Sequence, residues 1–236
     1  MVTVKVTDLV SKAQTLLQDP TGTRWSQKEL VGWLNDAYRE IILFRPDANS
    51  ESNTFSCTPG TRQVLTGEYP NALRLLDIVR NVAAGSNKGA VRIVDRQVLD
   101  DQFRAWHAQD ESDSIEHFMF DSNLPKEFLV YPPASNKAKL EVVFSSIPAE
   151  HDENTDYTSS PETIRLVDSY ANATLDYMLY RAYSKDAEYT ANAERAMSHY
   201  QAMQQALGLK TQKDQSANPR SIAALAKAIA AEEERS

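Results

Sequence analysis

Apolar residues recur at helical spacing in two stretches near the start of the chain. The first runs from Thr7 to Asp19, and Pro20 and Gly22 then interrupt it, because both residue types break regular structure. We expect Thr7 to be the N-cap of this helix. Its apolar stripe consists of Leu9, Val10, Ala13, Leu16 and Leu17.

A second helix is predicted over residues 26–44. Ser26 and Glu29 have the spacing of a capping box, and Trp25 and Leu30 have that of a hydrophobic staple. The helix should end just before the Arg-Pro pair that follows, since a residue that precedes proline disfavours the helical region.

The pattern changes over residues 51–150 to short apolar runs separated by Gly, Pro, Asn and Ser. Such runs predict strands, and the short connections between them favour antiparallel pairing. One stretch, 96–107, is instead predicted to be a short helix. The strands form one small, mostly antiparallel sheet: two flank the Pro59–Gly60 turn, and the others lie at 72–84, 90–95, 116–123, 127–133 and 139–148.

Helical spacing returns from residue 160 onwards. Ser160 as N-cap and Pro161 as the first helical residue favour a helix start there. Another helix is predicted from Asp186, with Gly208 as the residue just past its end. The connection between these two helices is so short that they should form an antiparallel hairpin.

Residues 210–236 form a predicted tail. Its first half has almost no apolar residue and its second half is rich in alanine, and a helix of that length is marginal in water by itself. Two interpretations stay open: a segment that folds on a partner, or an idle, frayed end. If a partner binds the tail, the contact face consists of Ile222, Leu225 and Ile229.

These elements together predict an α+β fold. The N-terminal and C-terminal helix pairs have no other large apolar surface to pack against, so we expect them to form a four-helix core. In this core, Trp33 and Leu34 face Leu175 and Met178. The corresponding domains are a helical bundle of residues 1–50 and 160–209, a β-rich, mostly antiparallel insertion of residues 51–159 and an extended C-terminal tail of residues 210–236.

Charge bears on possible nucleic-acid partners. The net charge of the 236 residues is -8, and acidic residues gather at 109–116 and 150–156. A protein that grips phosphates usually presents a basic stripe, so direct DNA binding is not expected. A surface that repels DNA is nevertheless compatible with lining a channel through which DNA passes.

Composition also bears on the compartment. Hydrophobic residues make up 42% and charged residues 25%, as in an ordinary globular protein. We find no apolar run long enough to span a membrane and expect no secretory signal. The single cysteine, Cys57, is compatible with a reducing cytoplasm.

Motifs that carry catalysis or metal binding are not found. The four histidines never pair at i, i+3 or i, i+4, and Gly-rich phosphate loops are missing. Asp100 and Asp101 could share a helix with His107, but Asp100 and His107 lie two turns apart. The acidic stretch 110–113 lacks the spacing of a cation site, and Cys57 is more often a buried residue than a nucleophile. We therefore expect no catalytic, cofactor or metal residues.

The C-terminal helix pair is rich in tyrosine. Tyrosine favours subunit interfaces, where the ring packs and the hydroxyl stays hydrated, yet the same rings could cover the core of their own hairpin. Both interpretations stay open. The candidate inter-subunit residues are Tyr170, Tyr177, Tyr180 and Tyr189.

Several phrases of the sequence resemble one family over nearly the whole of residues 7–208. The stretch that begins "DLVSKAQTLLQDPTGTRW" is followed by "LRLLDIVRN", "VRIVDRQVLDDQFRAWH", "FLVYPP", "EVVFSSIPAE" and "DAEYTANAERAMSHYQAM". Together they resemble the head-to-tail adaptor (connector) proteins of short-tailed bacteriophages. The phrases are moderately specific and contain no catalytic signature.

The resemblance implies a structural virion protein at the head–tail junction, present in the host cytoplasm during assembly. Such adaptors form a ring, typically twelve-fold, beneath the portal, and the ring lines the DNA-ejection channel. The implied partners are the portal protein, contacted by the tail 210–236, and tail nozzle or tail fibre proteins, contacted by the insertion. DNA is implied only as passing cargo, and no membrane partner is implied.

Two other functions stay open. A tail-associated cell-wall hydrolase would need two carboxylates about 5–9 Å apart across a cleft. A helical DNA-binding protein, for packaging or regulation, would need a basic helix face. The helix 26–44 carries Lys28 and Arg39 against three acidic residues, a balance that disfavours DNA binding.

Overall fold

The computed structural model describes residues 2–83, 87–186 and 188–217. The helices are α1 (Val6–Leu16), α2 (Gln27–Phe44), α3 (Arg96–Gln102), α4 (Ala171–Lys185) and α5 (Thr190–Ala217). The strands are β1 (Ser50–Ser56), β2 (Gly60–Val64), β3 (Ala72–Asn81), β4 (Arg92–Ile93), β5 (His117–Phe120), β6 (Glu127–Ala134) and β7 (Lys139–Ser146). The fold is α+β, as the sequence pattern predicts.

The chain divides into two compact units. Met1–Phe44 and Ala149–Ser236 form the first, called here the helical unit, and Arg45–Pro148 form the second, called the β unit. Residues 149–159, which the sequence pattern assigned to the insertion, fall in the helical unit. They hydrogen-bond to α2, for example from the main chain of His151 to the side chain of Asn35.

The start of α2 confirms the predicted capping box. The Ser26 N–H donates to Glu29 Oε2 at 3.1 Å, and the Glu29 N–H donates to Ser26 Oγ at 3.3 Å. Trp25 and Leu30, the predicted staple residues, are both buried. This exchange satisfies two main-chain donors that the helix itself cannot pair.

The predicted N-cap of α1 is wrong by two residues. Lys5 rather than Thr7 precedes the helix, and Asp8 accepts a hydrogen bond from the Lys5 N–H at 3.3 Å. The helix starts early because Val6 is already held in place, with its N–H donating to a carbonyl of the segment before α4.

The helix predicted to start at Ser160 begins only with α4, so that prediction is also wrong. Ile164 and Leu166 are buried while Arg165 between them is exposed, the alternation of an extended chain. The Ile164 N–H donates to Val4 O at 3.0 Å. Pairing with the distant N-terminus therefore prevails over a local N-cap pattern.

The C-terminal helix pair forms an antiparallel hairpin. His199 on α5 pairs with Asp176 on α4 at 2.9 Å, and further along α5 the ammonium of Lys210 lies 5.2 Å from the ring centroid of Tyr170, at the start of α4. The helices α4 and α5 thus run in opposite directions.

In the same unit Leu34 and Met178 are fully buried, and Trp33 is half-buried.

The predicted end of the last helix at Gly208 is wrong, because α5 continues to Ala217. A glycine inside a helix costs about 1 kcal/mol relative to alanine, and the burial of Met203 and Leu207 just before it offsets that cost. The first residues of the predicted tail 210–236 therefore belong to α5. The remainder lies outside the part of the chain that the structure describes.

The β unit contains two sheets where the sequence pattern predicted one. In the first, β7 pairs antiparallel with β1 and with β3. The second has the order β2-β6-β5-β4 and is antiparallel except for the β4–β5 pair. Pairing is mostly antiparallel, as predicted, but β1 and β2 belong to different sheets. Gly60, the first residue of β2, has a φ of +102°, a conformation that glycine adopts without strain.

Both sheets contribute to one apolar core. The rings of Phe55 on β1 and Phe128 on β6 lie 5.6 Å apart between centroids. Leu140, Val142 and Phe144 on β7 are fully buried in the same cluster. The β unit therefore has its own core, as expected of a separately packed body.

Candidate interaction surfaces

The hairpin of α4 and α5 carries an aromatic cluster at its surface. Tyr180 and Tyr200 lie 4.9 Å apart between ring centroids, and the Tyr200 hydroxyl donates to Glu40 Oε1 on α2 at 2.8 Å. The pKa of Tyr200 is raised, and this hydrogen bond is the largest cause and burial the second largest. Beside it, Tyr183 stacks on His199 at 5.8 Å. The cluster joins three helices through half-buried rings.

The four tyrosines predicted to contact a neighbouring subunit differ in exposure. Tyr170 and Tyr177 are only 3% and 6% exposed and pack inside the helical unit, whereas Tyr180 is half-buried. Tyr189 is 65% exposed, just before α5. Contact with a neighbour stays a prediction for all four, and Tyr189 has the most accessible ring.

Between residues 197 and 209, a stretch of more than three turns, the exposed positions of α5 carry no charge. Charged residues make up a quarter of the chain, and exposed helical faces in such a protein normally carry several of them. Here the exposed positions hold small or neutral side chains. They are Met197, Ser198, Gln201, Ala202, Gln204, Gln205, Ala206, Gly208 and Leu209.

The predicted portal-binding residues Ile222, Leu225 and Ile229 lie outside the described residues. Their assignment stays a prediction from the amphipathic pattern of the tail. In the sequence, Ile222 follows the last residue of α5, Ala217, by five positions.

The candidate acid–histidine group on the short helix has a structural role. Asp100 accepts a hydrogen bond from Trp106 Nε1 at 2.9 Å and pairs with Arg96 at 3.1 Å. The Trp106 hydrogen bond, more than the Arg96 charge, lowers the pKa of Asp100. His107 instead stacks on Trp106 and hydrogen-bonds to Thr61 Oγ1 at 2.8 Å. Asp100 and His107 thus both contact Trp106 but form hydrogen bonds with different residues.

Two other residues considered as candidates for chemistry, Asp113 and Cys57, also have structural roles. Asp113 binds the Ser135 hydroxyl, and Cys57 is buried, with burial raising the pKa of its thiol to about 12. Within residues 2–83, 87–186 and 188–217, no group of three or more His, Cys, Asp or Glu side chains could hold a metal ion. The same residues contain no helix long and apolar enough to cross a bilayer.

The β unit contains a groove that the sequence analysis did not foresee. It has a volume of about 790 Å³ and lies beside β4, β5 and the start of α3, with Met119 and Leu129 among its lining residues. Ile93 and Leu124 at its rim are 66% and 52% exposed. The sequence pattern predicted a strand over residues 90–95, whereas β4 has only two residues, and nothing in the pattern indicated that Ile93 would be exposed.

Comparison with known proteins gives one result. The model of the SU10 adaptor protein family matches residues 4–223, a range that covers all of the β unit and most of the helical unit. No curated protein matches the chain.

Proposed function

The chain belongs to the SU10 adaptor protein family, a family of phage head-to-tail adaptors, and we propose that it acts as a ring beneath the portal protein. Its role is structural, at the junction of head and tail, as a component of the virion. The family match over residues 4–223 is the observation that carries this proposal. The ring would join the capsid to the tail and line the DNA-ejection channel, and assembly would begin in the host cytoplasm.

The body of the ring would be a four-helix core of α1, α2, α4 and α5. Neighbouring copies would meet along the uncharged outer face of α5, because charged residues are depleted at the centres of protein interfaces. A ring also needs two different faces on each subunit. The exposed ring of Tyr189 would lie at the edge of this contact.

The proposed channel lining rests on charge. The net charge of -8 gives a surface that does not retain DNA, which suits DNA as passing cargo. The β unit, whose groove is lined by both apolar and charged side chains, would contact tail nozzle or tail fibre proteins. The tail beyond α5 would contact the portal protein through Ile222, Leu225 and Ile229.

The portal contact is tested in the full chain by paired substitutions. Ile222→Asp with Ile229→Asp places two charges on the apolar stripe, whereas Ala224→Asp with Ala231→Asp places two charges on the opposite side. We expect the first pair to lose co-migration with portal assemblies on a sizing column and the second pair to keep it. Equal binding by both would refute the tail assignment.

The subunit contact is tested by one charge on α5. Ala202→Glu should prevent ring closure on the portal, because it places an unpaired charge in the proposed interface. Ser11→Glu, on the exposed side of α1, is the matched control and should leave the ring intact. Copies per portal are counted by electron microscopy, and a full ring with Ala202→Glu would refute this contact.

The two alternative functions gain no support from the residues that the structure describes. Of the acidic side chains considered for chemistry, Asp100 and Asp113 are engaged in hydrogen bonds, and Asp100 also in an ion pair. Of the two basic residues on α2, Arg39 is paired with Asp36 and Glu150. A lysis zone on cell-wall material or a salt-sensitive DNA gel shift would contradict a purely structural role.

A further inference from the structure

Residues 149–161, the returning connection, lie along α2 and bury a histidine there. His151 is 2% exposed. Its main chain makes two hydrogen bonds with the side chain of Asn35, one as donor and one as acceptor, both at 2.9 Å. Further along, Gln27 Nε2 donates to Thr155 O at 2.9 Å. The proposed adaptor function makes no use of the imidazole.

The hydrogen bonds around the imidazole define which nitrogen carries its proton. Because the Glu162 carboxylate can only accept, a neutral His151 carries its proton on Nδ1, and its Nε2 accepts from the Tyr38 hydroxyl at 3.0 Å. The Tyr38 hydroxyl oxygen in turn accepts from the Arg165 N–H at 3.0 Å. His151 Nδ1 lies 2.7 Å from Glu162 Oε1 and donates to it. The cluster therefore accommodates a neutral imidazole with its proton on Nδ1.

A second proton on the ring would disrupt this arrangement. The new Nε2–H would face the Tyr38 hydroxyl, whose own proton would then lose its acceptor in a buried environment. The titratable and charged groups that face the ring are Tyr38 on α2 and Tyr157, Glu162 and Arg165 on the following segment.

The electrostatic balance at the ring favours the neutral form. Burial is the largest cause and lowers the pKa of His151. The carboxylate of Glu162 opposes this effect by attracting a charged imidazolium, and the positive charge of Arg165 adds to the lowering.

Both connections between the compact units are attached to α2. The chain leaves the helical unit at Phe44, the last residue of α2, and returns at Ala149. The return is attached through His151 and through the ion pair of Arg39 with Glu150. The histidine is thus the buried part of the second attachment.

We propose that Asn35, Tyr38, His151 and Glu162 form an acid-sensitive latch, which holds the returning connection against α2 while His151 is neutral and releases it when His151 is protonated. The helices stay folded on release, because their apolar stripes do not depend on the imidazole. Release lengthens one of the two tethers of the β unit.

The latch is tested in the full chain by amide exchange read out by mass spectrometry. Labelling at pH 7.5 and pH 5.0 uses times scaled to equal intrinsic exchange. We expect peptides of residues 149–161 to lose protection about tenfold or more at pH 5.0, while peptides of α4 and α5 keep theirs. Unchanged protection of 149–161, or a uniform loss over the whole helical unit, would overturn the proposal.

Substitutions separate titration from mere packing. His151→Gln cannot titrate and should give the same protection of 149–161 at both pH values. Tyr38→Phe removes the hydroxyl whose hydrogen bond to Nε2 favours the neutral ring, so the release midpoint should move to higher pH. His199→Gln is the control, because His199 also pairs with a carboxylate but outside the latch, and it should behave as the wild type. If Tyr38→Phe lowers protection equally at all pH values without moving the midpoint, the cluster is structural only.

Discussion

The indole nitrogen of Trp25 donates a hydrogen bond to the main-chain oxygen of Ala182 at 3.2 Å. This bond joins the residue before the α2 capping box to the last turn of α4. Close by, Lys185 pairs with Glu29 at 2.6 Å, but both side chains are partly exposed. Exposed ion pairs contribute about 0–1 kcal/mol to stability. We therefore expect the buried Trp25 to contribute more to the free energy of unfolding than the Lys185–Glu29 pair does.

Trp25→Phe tests that ranking. The variant keeps an aromatic ring, loses volume and leaves the Ala182 carbonyl without its donor. We expect the free energy of unfolding to fall by about 2–3 kcal/mol in urea titrations. Lys185→Ala, the comparison, should cost about 1 kcal/mol or less, and an equal loss in both variants would contradict the ranking.

Asp19 organises the turn between α1 and α2. Its carboxylate accepts main-chain hydrogen bonds from Trp25, Arg24 and Thr23 at 2.9, 2.8 and 2.9 Å. These bonds, led by that from Trp25, lower the pKa of Asp19. A carboxylate held in this way stabilises the fold in its charged form.

Asp19→Asn should therefore change how stability depends on pH. Because the folded-state pKa is depressed, the contribution of Asp19 is present above about pH 4 and is lost as the pH falls below it. The variant should melt at a lower temperature than the wild type at pH 7, and the two should converge towards pH 2. Glu194→Gln, on the exposed side of α5, serves as control, and a constant difference between pH 7 and pH 2 would contradict the assignment.

Gly32, in the middle of α2, lies under the carboxylate of Glu153. A Cβ at this position would come within 3.1 Å of Glu153 Oε1, so the returning connection packs closely on a residue without a side chain. Glycine in a helix interior otherwise costs about 1 kcal/mol relative to alanine.

A double-mutant cycle separates these two effects. Gly32→Ala should stabilise the protein by about 1 kcal/mol in a Glu153→Ala background and by less in the wild type, where the carboxylate must move. Denaturant unfolding of the four proteins measures the coupling. Equal gains in both backgrounds would mean that Glu153 does not constrain this position.

Cys57 should be unreactive in the folded protein. Burial is the main cause, and the charge of Glu68 a smaller one, of the rise in the pKa of its thiol to about 12. Since the thiolate is the reactive form, a thiol with so high a pKa reacts slowly. We expect labelling by a disulfide reagent at pH 8 to be about a hundredfold slower in buffer than in urea. Fast labelling of the native protein would show that the strand end around Cys57 opens readily.

Short sequence patterns predicted the start or end of an element correctly where the residues that hydrogen-bond there lie close together in the sequence. The capping box of Ser26 and Glu29 is complete within four residues, so the start of α2 could be predicted. The cap pattern at Ser160 has the same local form, but Ile164 pairs with Val4 across the chain, and no periodicity records that contact. The prediction that the last helix ends at Gly208 was wrong for a similar reason, because burial of Leu207 against distant residues stabilises α5 beyond that position.

Candidate sites, too, could be judged from the sequence only where their residues lie close together along the chain. Motif spacing was enough to discount Asp100 and His107 as a catalytic pair, and no hydrogen bond joins their side chains, which bond instead to Trp106 and Thr61. His151 carried no sequence signal, because Tyr38 and Asn35 lie more than a hundred positions away along the chain. Only folding brings such donors and acceptors together.

The sequence by itself determined the α+β class, most helices and strands, and the family resemblance, because each of these depends on residue types at short spacing. The tertiary structure alone decided that β1 and β2 separate into two sheets, that residues 149–159 join the helical unit, and that His151 is buried against α2. These outcomes depend on which distant surfaces exclude water together, and that free energy is a property of the packed chain rather than of any short segment of it.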